Sequence, residues 1–209
     1  KVPILTTWNG ADLIPNDHEQ YIGRPGLFGQ RPANFAVQNA DLIITIGNRL
    51  SIPQTGYNFK AFARSAKKIF VEIDMAELED KPFKPDIAIN ANAKDFIKEL
   101  SFQLNDPDLN KWDKWIEICK NWNMKYPIVS PEYFEKNDYV NSYVFIDRLS
   151  DELKNYDMIV TDMGTSFTTT FQAFKVKKGQ KFFTSSGLAS MGFGLPGAIG
   201  ACFASNKKR

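Results

Sequence analysis

Residues 182–201 have the sequence FFTSSGLASMGFGLPGAIGA, in which a short aromatic strand, a loop of small residues and an apolar helix follow one another. Small residues allow a ligand to lie against the backbone, because no side chain holds it away. A helix start presents unpaired N–H groups and the positive end of the helix dipole, which together favour an anion. Met191 is the one long, flexible side chain in the loop, and a thioether can contact an aromatic ring. The pattern predicts either a ligand site or a closely packed strand–loop–helix unit without a ligand.

A second strand-to-helix turn precedes this loop. Met158–Gly164 has the apolar pattern of a buried strand, and Thr165 and Ser166 follow it at the start of a helix predicted over Phe167–Ala173. Backbone amides, hydroxyls and the helix dipole suit a phosphate at such a turn, although the same hydroxyls also serve as ordinary helix caps. Because neighbouring parallel strands end at the same sheet edge, we expect the two turns to lie together.

Strand and helix patterns alternate along the chain. Strands are predicted over 4–7, 41–47, 68–74 and 86–91, and helices over 31–39, 58–66, 93–104, 111–125 and 142–154. Residues 8–30 are predicted to form a long loop, and the apolar run 41–47 is typical of a parallel strand covered on both faces. We therefore predict an α/β protein with open parallel sheets, helices on both faces and two partial Rossmann-like domains.

The first half also contains a candidate nucleotide site. Gly47 and Asp74 end two predicted strands, and Arg49 follows closely. A ligand can approach the backbone at a glycine, an aspartate can accept from a ribose or adenine group, and an arginine can pair with a phosphate. The alternative interpretation is that Asp74 caps the next turn and Arg49 is solvated.

Composition narrows the function classes. The net charge of +2 is too small to indicate a nucleic-acid partner, and no apolar run reaches the roughly 18 residues of a membrane span. Cys119 and Cys202 are the only cysteines, so a disulfide framework is not expected and a reducing, cytoplasmic location fits. His18 is the only histidine, which excludes a histidine-rich metal site.

Several segments resemble one enzyme family. Ser185–Pro196 resembles the segment that opens the diphosphate-binding domain in thiamine-diphosphate enzymes of the acetolactate synthase type, and Thr161–Ser166 resembles its diphosphate-side turn. Three segments resemble the middle domain of these enzymes: Gly29–Asn34, Ala40–Leu50 and Val71–Asp74. The resemblance divides the chain into part of a middle, nucleotide-binding domain (1–105), a connector (106–138) and the beginning of the thiamine-diphosphate domain (139–209).

The resemblance implies a thiamine diphosphate site made of Gly164, Thr165, Ser166, Gly187, Leu188, Ala189 and Met191. In this family the turn at Gly164 would face the diphosphate. The Ala189 carbonyl would accept a hydrogen bond from the aminopyrimidine, and Met191 would be the wedge beneath the bent cofactor.

The resemblance also concerns the middle domain, which binds FAD in acetolactate synthases and is empty or holds another nucleotide in several relatives. Both alternatives remain open here. The residues that match a flavin site are Gly47, Arg49, Gly56 and Asp74. Three places depart from the synthases: Ser51–Pro53 replaces a charged stretch, Asn92 replaces an aspartate, and Gly23–Gly26 replaces a Met-His-Gly approach.

The resemblance implies an enzyme that decarboxylates a small 2-keto acid and transfers the carbon fragment, working as a homodimer or homotetramer. No residue of the chain is expected to be its catalytic base. The activating glutamate is expected in a preceding domain and the Mg²⁺ motif just beyond Arg209, so the chain is expected to be an inactive piece of a larger protein.

Three alternatives remain. The first is that the chain is a non-catalytic fragment or assembly subunit. The second is that it belongs to another thiamine-diphosphate decarboxylase or lyase, and the third is that it is a nucleotide-binding oxidoreductase. The last rests on Gly192–Gly197, a weak match to the dinucleotide fingerprint G-x-G-x-x-G.

Overall fold

The structure of the protein is a computed structural model that describes residues 1–104, 111–135 and 138–206. The predicted polar break at 105–109 lies outside the described residues. Parts of the predicted connector and the basic residues 207–209 also lie outside them. No helix within the described ranges is both long enough and apolar enough to cross a membrane.

Among the described residues, every strand pair is parallel. The strands are Ile4–Leu5 (β1), Tyr21–Gly23 (β2), Leu42–Ile46 (β3), Lys67–Glu72 (β4), Ile87–Asn90 (β5), Met158–Val160 (β6) and Lys181–Phe183 (β7). They form three sheets with the orders β1-β2, β3-β4-β5 and β6-β7. The α/β class with parallel sheets flanked by helices is therefore confirmed.

Helices separate most of the strands. They are Arg31–Asn39 (α1), Ile52–Thr55 (α2), Met75–Glu79 (α3), Ala93–Gln103 (α4), Asp113–Lys125 (α5), Ser142–Glu152 (α6), Thr165–Ala173 (α7) and Gly194–Ala204 (α8). Short 3₁₀ turns occur at Trp8–Gly10, Phe59–Ala61 and Pro131–Phe134.

The segment predicted as a long loop contains a strand. β2 pairs with β1, and its three residues are all buried. The prediction of a continuous loop over 8–30 was therefore wrong. Three apolar or small residues between polar, proline-rich neighbours give too short a pattern to distinguish a strand from a loop.

The helix predicted over 58–66 was also wrong. Only the 3₁₀ turn Phe59–Ala61 forms, and Ala63 lies at a φ of 45°, which no α-helix contains. Ala63 is fully buried in a cluster with Phe62 and Phe70, so packing fixes a backbone conformation that local helix propensity opposes.

The central sheet has one well-covered face. Phe70 on β4 is buried with Val37 and Leu50, whereas Leu42 and Ile44 on β3 remain 47% and 41% exposed. The expectation that β3 is covered on both faces was wrong for these two residues. Leu42 and Ile44 point to the opposite face from Phe70, because side chains alternate along a strand and their β4 partners are Lys67 and Ile69.

The aromatic helix α5 packs on the first half of the chain. Ile116 and Cys119 are buried, and Cys119 contacts Ile22 and Ala36 in one apolar cluster. Burial raises the pKa of the Cys119 thiol to about 11. Both cysteines, Cys119 and Cys202, are free.

A buried arginine ties the first part of the chain to α7. Arg24 is 1% exposed, and its guanidinium donates from Nε to the Phe171 carbonyl (2.6 Å) and from Nη2 to the Phe174 carbonyl (2.8 Å). Its Nη1 donates to the Tyr21 hydroxyl at 3.1 Å. The accepting carbonyls lie at the C-terminal end of α7, where the helix dipole favours a cation.

Candidate functional site

The two strand-to-helix turns lie at one sheet edge. β6 and β7 are neighbours with Val160 opposite Phe183, and the Thr161 amide donates to the Phe183 carbonyl at 3.0 Å. The turn at Gly164 and the loop 184–193 both leave the carboxyl ends of these strands. The two turns therefore lie at the same sheet edge, as predicted, because β6 and β7 are parallel neighbours.

Asp162 connects the two turns directly. Its carboxylate accepts hydrogen bonds from the amides of Met163 (2.7 Å), Gly192 (3.0 and 3.1 Å) and Gly194 (3.1 Å). One side chain thus holds the end of β6, the end of the loop and the start of α8 together. Asp162 was not among the site residues predicted from the sequence. The available signal was an acidic residue within the apolar pattern Met158–Gly164, but nothing local showed which amides it would meet.

The hydrogen bonds at Asp162 have an electrostatic consequence. Donation from the Met163 amide, followed by the Gly194 and Gly192 amides, holds the pKa of this carboxyl below its ordinary value, against a smaller opposing effect of desolvation. Asp162 therefore stays ionised at neutral pH and fixes the loop with charge-assisted hydrogen bonds.

The turn at Gly164 is open. Gly164 has φ 74° and ψ −138°, a conformation that a glycine adopts without steric cost, and no atom lies within 4 Å of the position that a Cβ would take. No side chain among the described residues caps α7. Thr165 and Ser166 are exposed, and the Ser166 hydroxyl donates to the Met163 carbonyl at 3.1 Å.

The loop 187–191 presents backbone and Met191 to the outside. Leu188 and Met191 are 91% and 90% exposed. Ala189 adopts a left-handed φ of 56°, and its amide donates to the Ser185 carbonyl at 2.7 Å. Such a conformation costs a non-glycine residue about 1–2 kcal/mol and is concentrated at functional sites.

These features suit an anionic ligand with a flat apolar part. The first-turn amides of α7 have no intrahelical acceptor, and the hydroxyls of Thr165 and Ser166 adjoin them. A Cβ added at Gly187 or Gly192 would have no atom within 4 Å, so there is open space beside the backbone that a ligand can enter. The residues present therefore fit a phosphorylated heterocycle such as thiamine diphosphate.

The dinucleotide fingerprint does not have the geometry that its function needs. A Rossmann fingerprint places its first glycine directly after a strand. Here β7 ends at Phe183, and Gly192 comes only after the long loop held by Asp162.

The candidate nucleotide residues lie at the corresponding edge of the central sheet. The Gly47 amide donates to the Val71 carbonyl at 2.9 Å, so Gly47 follows β3 beside the end of β4. Arg49 has a side chain 72% exposed, with its Nε 3.5 Å from Glu77. Asp74 caps α3 by accepting from the Ala76 amide at 3.0 Å, which is the capping role that the sequence left open.

Two clefts of about 230 Å³ each occur elsewhere. One lies between α1 and α2 and includes Gly26, Gln38 and Phe62, and the other includes Gln30, Asp147 and Lys175. The cleft between α1 and α2 also includes Gly56, one of the residues that match a flavin site, and neither cleft includes a residue of the predicted thiamine diphosphate site. The described residues include no group of three or more His, Cys, Asp or Glu side chains arranged to hold a metal ion.

Comparison with known proteins agrees with this arrangement. Residues 1–100 match the family model "Thiamine pyrophosphate enzyme, central domain", and residues 162–209 match "Thiamine pyrophosphate enzyme, C-terminal TPP binding domain". The second match begins at Asp162, the residue that joins the two turns.

Relatives of known name align along nearly the whole chain. The probable acetolactate synthase large subunit of Methanocaldococcus jannaschii is 34% identical over 96% of the chain, and the acetolactate synthase large subunit of Cyanidium caldarium is 34% identical over 96%. The large subunit of acetolactate synthase isozyme 2 from Escherichia coli is 31% identical over 96%.

The alignments cover 34% of the first two relatives and 35% of the third, so the chain spans about a third of the length of these proteins. The two domain matches and the turns at the ends of β6 and β7 together place the chain in the thiamine pyrophosphate enzyme family, with sequence of its central and C-terminal domains.

Proposed function

We propose that this chain supplies the diphosphate-side turns of a thiamine-diphosphate enzyme that decarboxylates a 2-keto acid and transfers the carbon fragment. The observation that carries the proposal is the Asp162 carboxylate, which joins the Gly164 turn to the loop containing Met191. The match to the thiamine-pyrophosphate-binding domain supports the same cofactor.

The Gly164 turn would hold the diphosphate. The exposed first-turn amides of α7 and the hydroxyls of Thr165 and Ser166 donate to phosphate oxygens, and the helix dipole adds to the attraction. An extra Cβ at Gly164 would meet no atom of the protein, so the glycine leaves space for the ligand as well as permitting its φ of 74°.

The loop would hold the heterocyclic part. The left-handed conformation at Ala189 fixes the direction of its carbonyl, which accepts no hydrogen bond from the described residues and is therefore available to an amino group. Met191 supplies an apolar wedge, while Gly187 and Leu188 form the wall beside it. When bound, thiamine diphosphate supplies the electron sink that decarboxylation of a 2-keto acid requires.

The names of the relatives support a proposal for the substrate. They are acetolactate synthase large subunits, which supports a small 2-keto acid as the substrate. We further propose a homodimer or homotetramer in a reducing, cytoplasmic setting, with the Mg²⁺ ligands and the activating glutamate supplied from outside residues 1–209.

A nucleotide at the central sheet is a second proposal. Gly47 has a left-handed φ of 60°, and only the Ala93 Cβ, 4.0 Å away, lies near the position of an added Cβ. The Lys81 ammonium donates to the Arg49 carbonyl and pairs with Glu77, so the turn that carries the exposed Arg49 is fixed. Gly47, Arg49 and the remaining acceptor capacity of Asp74 support FAD or another nucleotide at this edge.

Replacing Met191 tests the thiamine diphosphate site. In the full-length natural protein, Met191→Ala should lower kcat by roughly 10- to 100-fold, because the cofactor loses the surface that fixes its bend. Met124→Ala is the matched control, since Met124 is 74% exposed on α5. Turnover by Met191→Ala at the level of the control would contradict the assignment, and a wild-type protein that gives no calorimetric signal with thiamine diphosphate would contradict the function.

Asp162 gives a prediction about pH. Its lowered pKa means that its contribution to loop order is complete above the ordinary value of 3.8 and is lost as the pH falls through the lower, folded value. Asp162→Asn offers one acceptor oxygen in place of two, so we expect thiamine diphosphate affinity at pH 7 to fall by about tenfold. Affinity measured by calorimetry from pH 7 to pH 5 should not change through the titration of this carboxyl. An unchanged affinity in Asp162→Asn at pH 7 would show that the hydrogen bonds of Asp162 do not organise the loop for the cofactor.

The visible absorption spectrum of the purified protein tests whether it binds FAD. If FAD binds, the purified natural protein absorbs visible light, and Arg49→Met should release flavin on dialysis whereas Arg64→Met, at another exposed arginine, retains it. A colourless protein that gains no absorbance after incubation with FAD would exclude flavin, and titration with ADP then shows whether the edge binds another nucleotide.

A further inference from the structure

The 3₁₀ turn Trp8–Gly10 contacts the helix that carries the Gly164 turn. The Trp8 ring packs edge-on against Phe167, with ring centroids 4.6 Å apart and an interplanar angle of 81°. Trp8 is 9% exposed and Phe167 is 3% exposed, so the contact is buried. Phe167 comes directly after Thr165 and Ser166, and the contact therefore fixes the first turn of α7.

The same turn contacts the loop that carries Met191. The Ser186 hydroxyl donates to Asn9 Oδ1 at 2.7 Å, across 177 positions of sequence. Three residues further along, Asp12 accepts from the Phe182 amide at 3.3 Å and lies 3.4 Å from the Lys181 ammonium. The segment Trp8–Asp12 thus contacts β7, the loop after β7 and the start of α7.

These contacts give the loop two anchors. Asp162 holds its C-terminal end through the Gly192 and Gly194 amides, and Asn9 holds its N-terminal end through Ser186. Ala189 and Met191 lie between the anchors, and the Ala189 amide donates to the Ser185 carbonyl at 2.7 Å within the same loop. Fixing both ends lowers the conformational entropy that ligand binding would otherwise have to remove.

We propose that Trp8–Asp12 is a positioning element for the cofactor loop, and that Asn9 is the residue through which the first half of the chain sets the position of Ala189 and Met191. The proposal rests on the proposed thiamine diphosphate site for its functional meaning. Asn9 is a positioning residue, because it acts through Ser186 and not on the ligand.

A double-mutant cycle in the full-length natural protein tests the proposal. Asn9→Ala and Ser186→Ala should each weaken thiamine diphosphate binding by roughly 3- to 10-fold in calorimetry, and the double variant should be no weaker than either single variant. Ser186→Thr retains the hydroxyl and should restore most of the affinity. Asp17→Ala is the control, since Asp17 is exposed five residues beyond the segment Trp8–Asp12.

Amide hydrogen exchange without cofactor provides a readout that is independent of thiamine diphosphate. Residues 187–191 should exchange several-fold faster in Asn9→Ala and Ser186→Ala than in wild type, while α1 keeps its exchange rates. Wild-type exchange at 187–191 in both variants, or additive losses of affinity in the cycle, would overturn the proposal. If the wild-type protein binds no thiamine diphosphate, the proposed function fails, and the exchange rates alone decide whether Asn9 positions the loop.

Discussion

The candidate site depends on the hydrogen bonds that the buried guanidinium of Arg24 donates to the last carbonyls of α7. A charge that is 1% exposed is stable only if its donors are satisfied, and here the acceptors are the last carbonyls of α7 and the Tyr21 hydroxyl. The negative end of the α7 dipole offsets the positive charge. Arg24 therefore fixes the C-terminal end of the helix whose N-terminal end forms the Gly164 turn, so the geometry of a site in the second half is set by a residue of the first.

Further contacts make this junction a continuous interface. The side-chain Nε2 of Gln30 donates to the Gln172 backbone carbonyl at 2.7 Å, and the side-chain Nε2 of Gln172 donates to the Phe28 backbone carbonyl at 2.8 Å. Beyond α7, the hydroxyl of Ser186, in the loop that follows β7, donates to Asn9 Oδ1. The first thirty residues thus belong in sequence to the central domain and in packing also to the thiamine-pyrophosphate-binding region. This dual role explains why their backbone departs from a simple loop.

Sequence reasoning predicted the parts of the structure that local patterns determine. The helix predicted over Arg31–Asn39 has those bounds, and Asn141 caps α6 by accepting from the Tyr143 and Val144 amides, as its position before the helix indicated. The two turns were expected at one sheet edge because parallel strands end together. Tertiary contacts decided the remainder. Ala63 adopts its positive φ through packing, and Asp162 has partners thirty residues away that no local pattern specifies.

Hydrogen exchange of α7 in an Arg24→Met variant of the full-length natural protein is the most direct test of this dependence. With the guanidinium gone, the Phe171 and Phe174 carbonyls lose their donors inside a buried interface, and each such loss costs about 1–3 kcal/mol. We expect the amides of α7 to exchange at least tenfold faster than in wild type and than in Arg31→Met, a control at an exposed arginine of the same segment. Protection of α7 at the wild-type level in Arg24→Met would show that the second half holds its helix without the first, and would contradict the central claim.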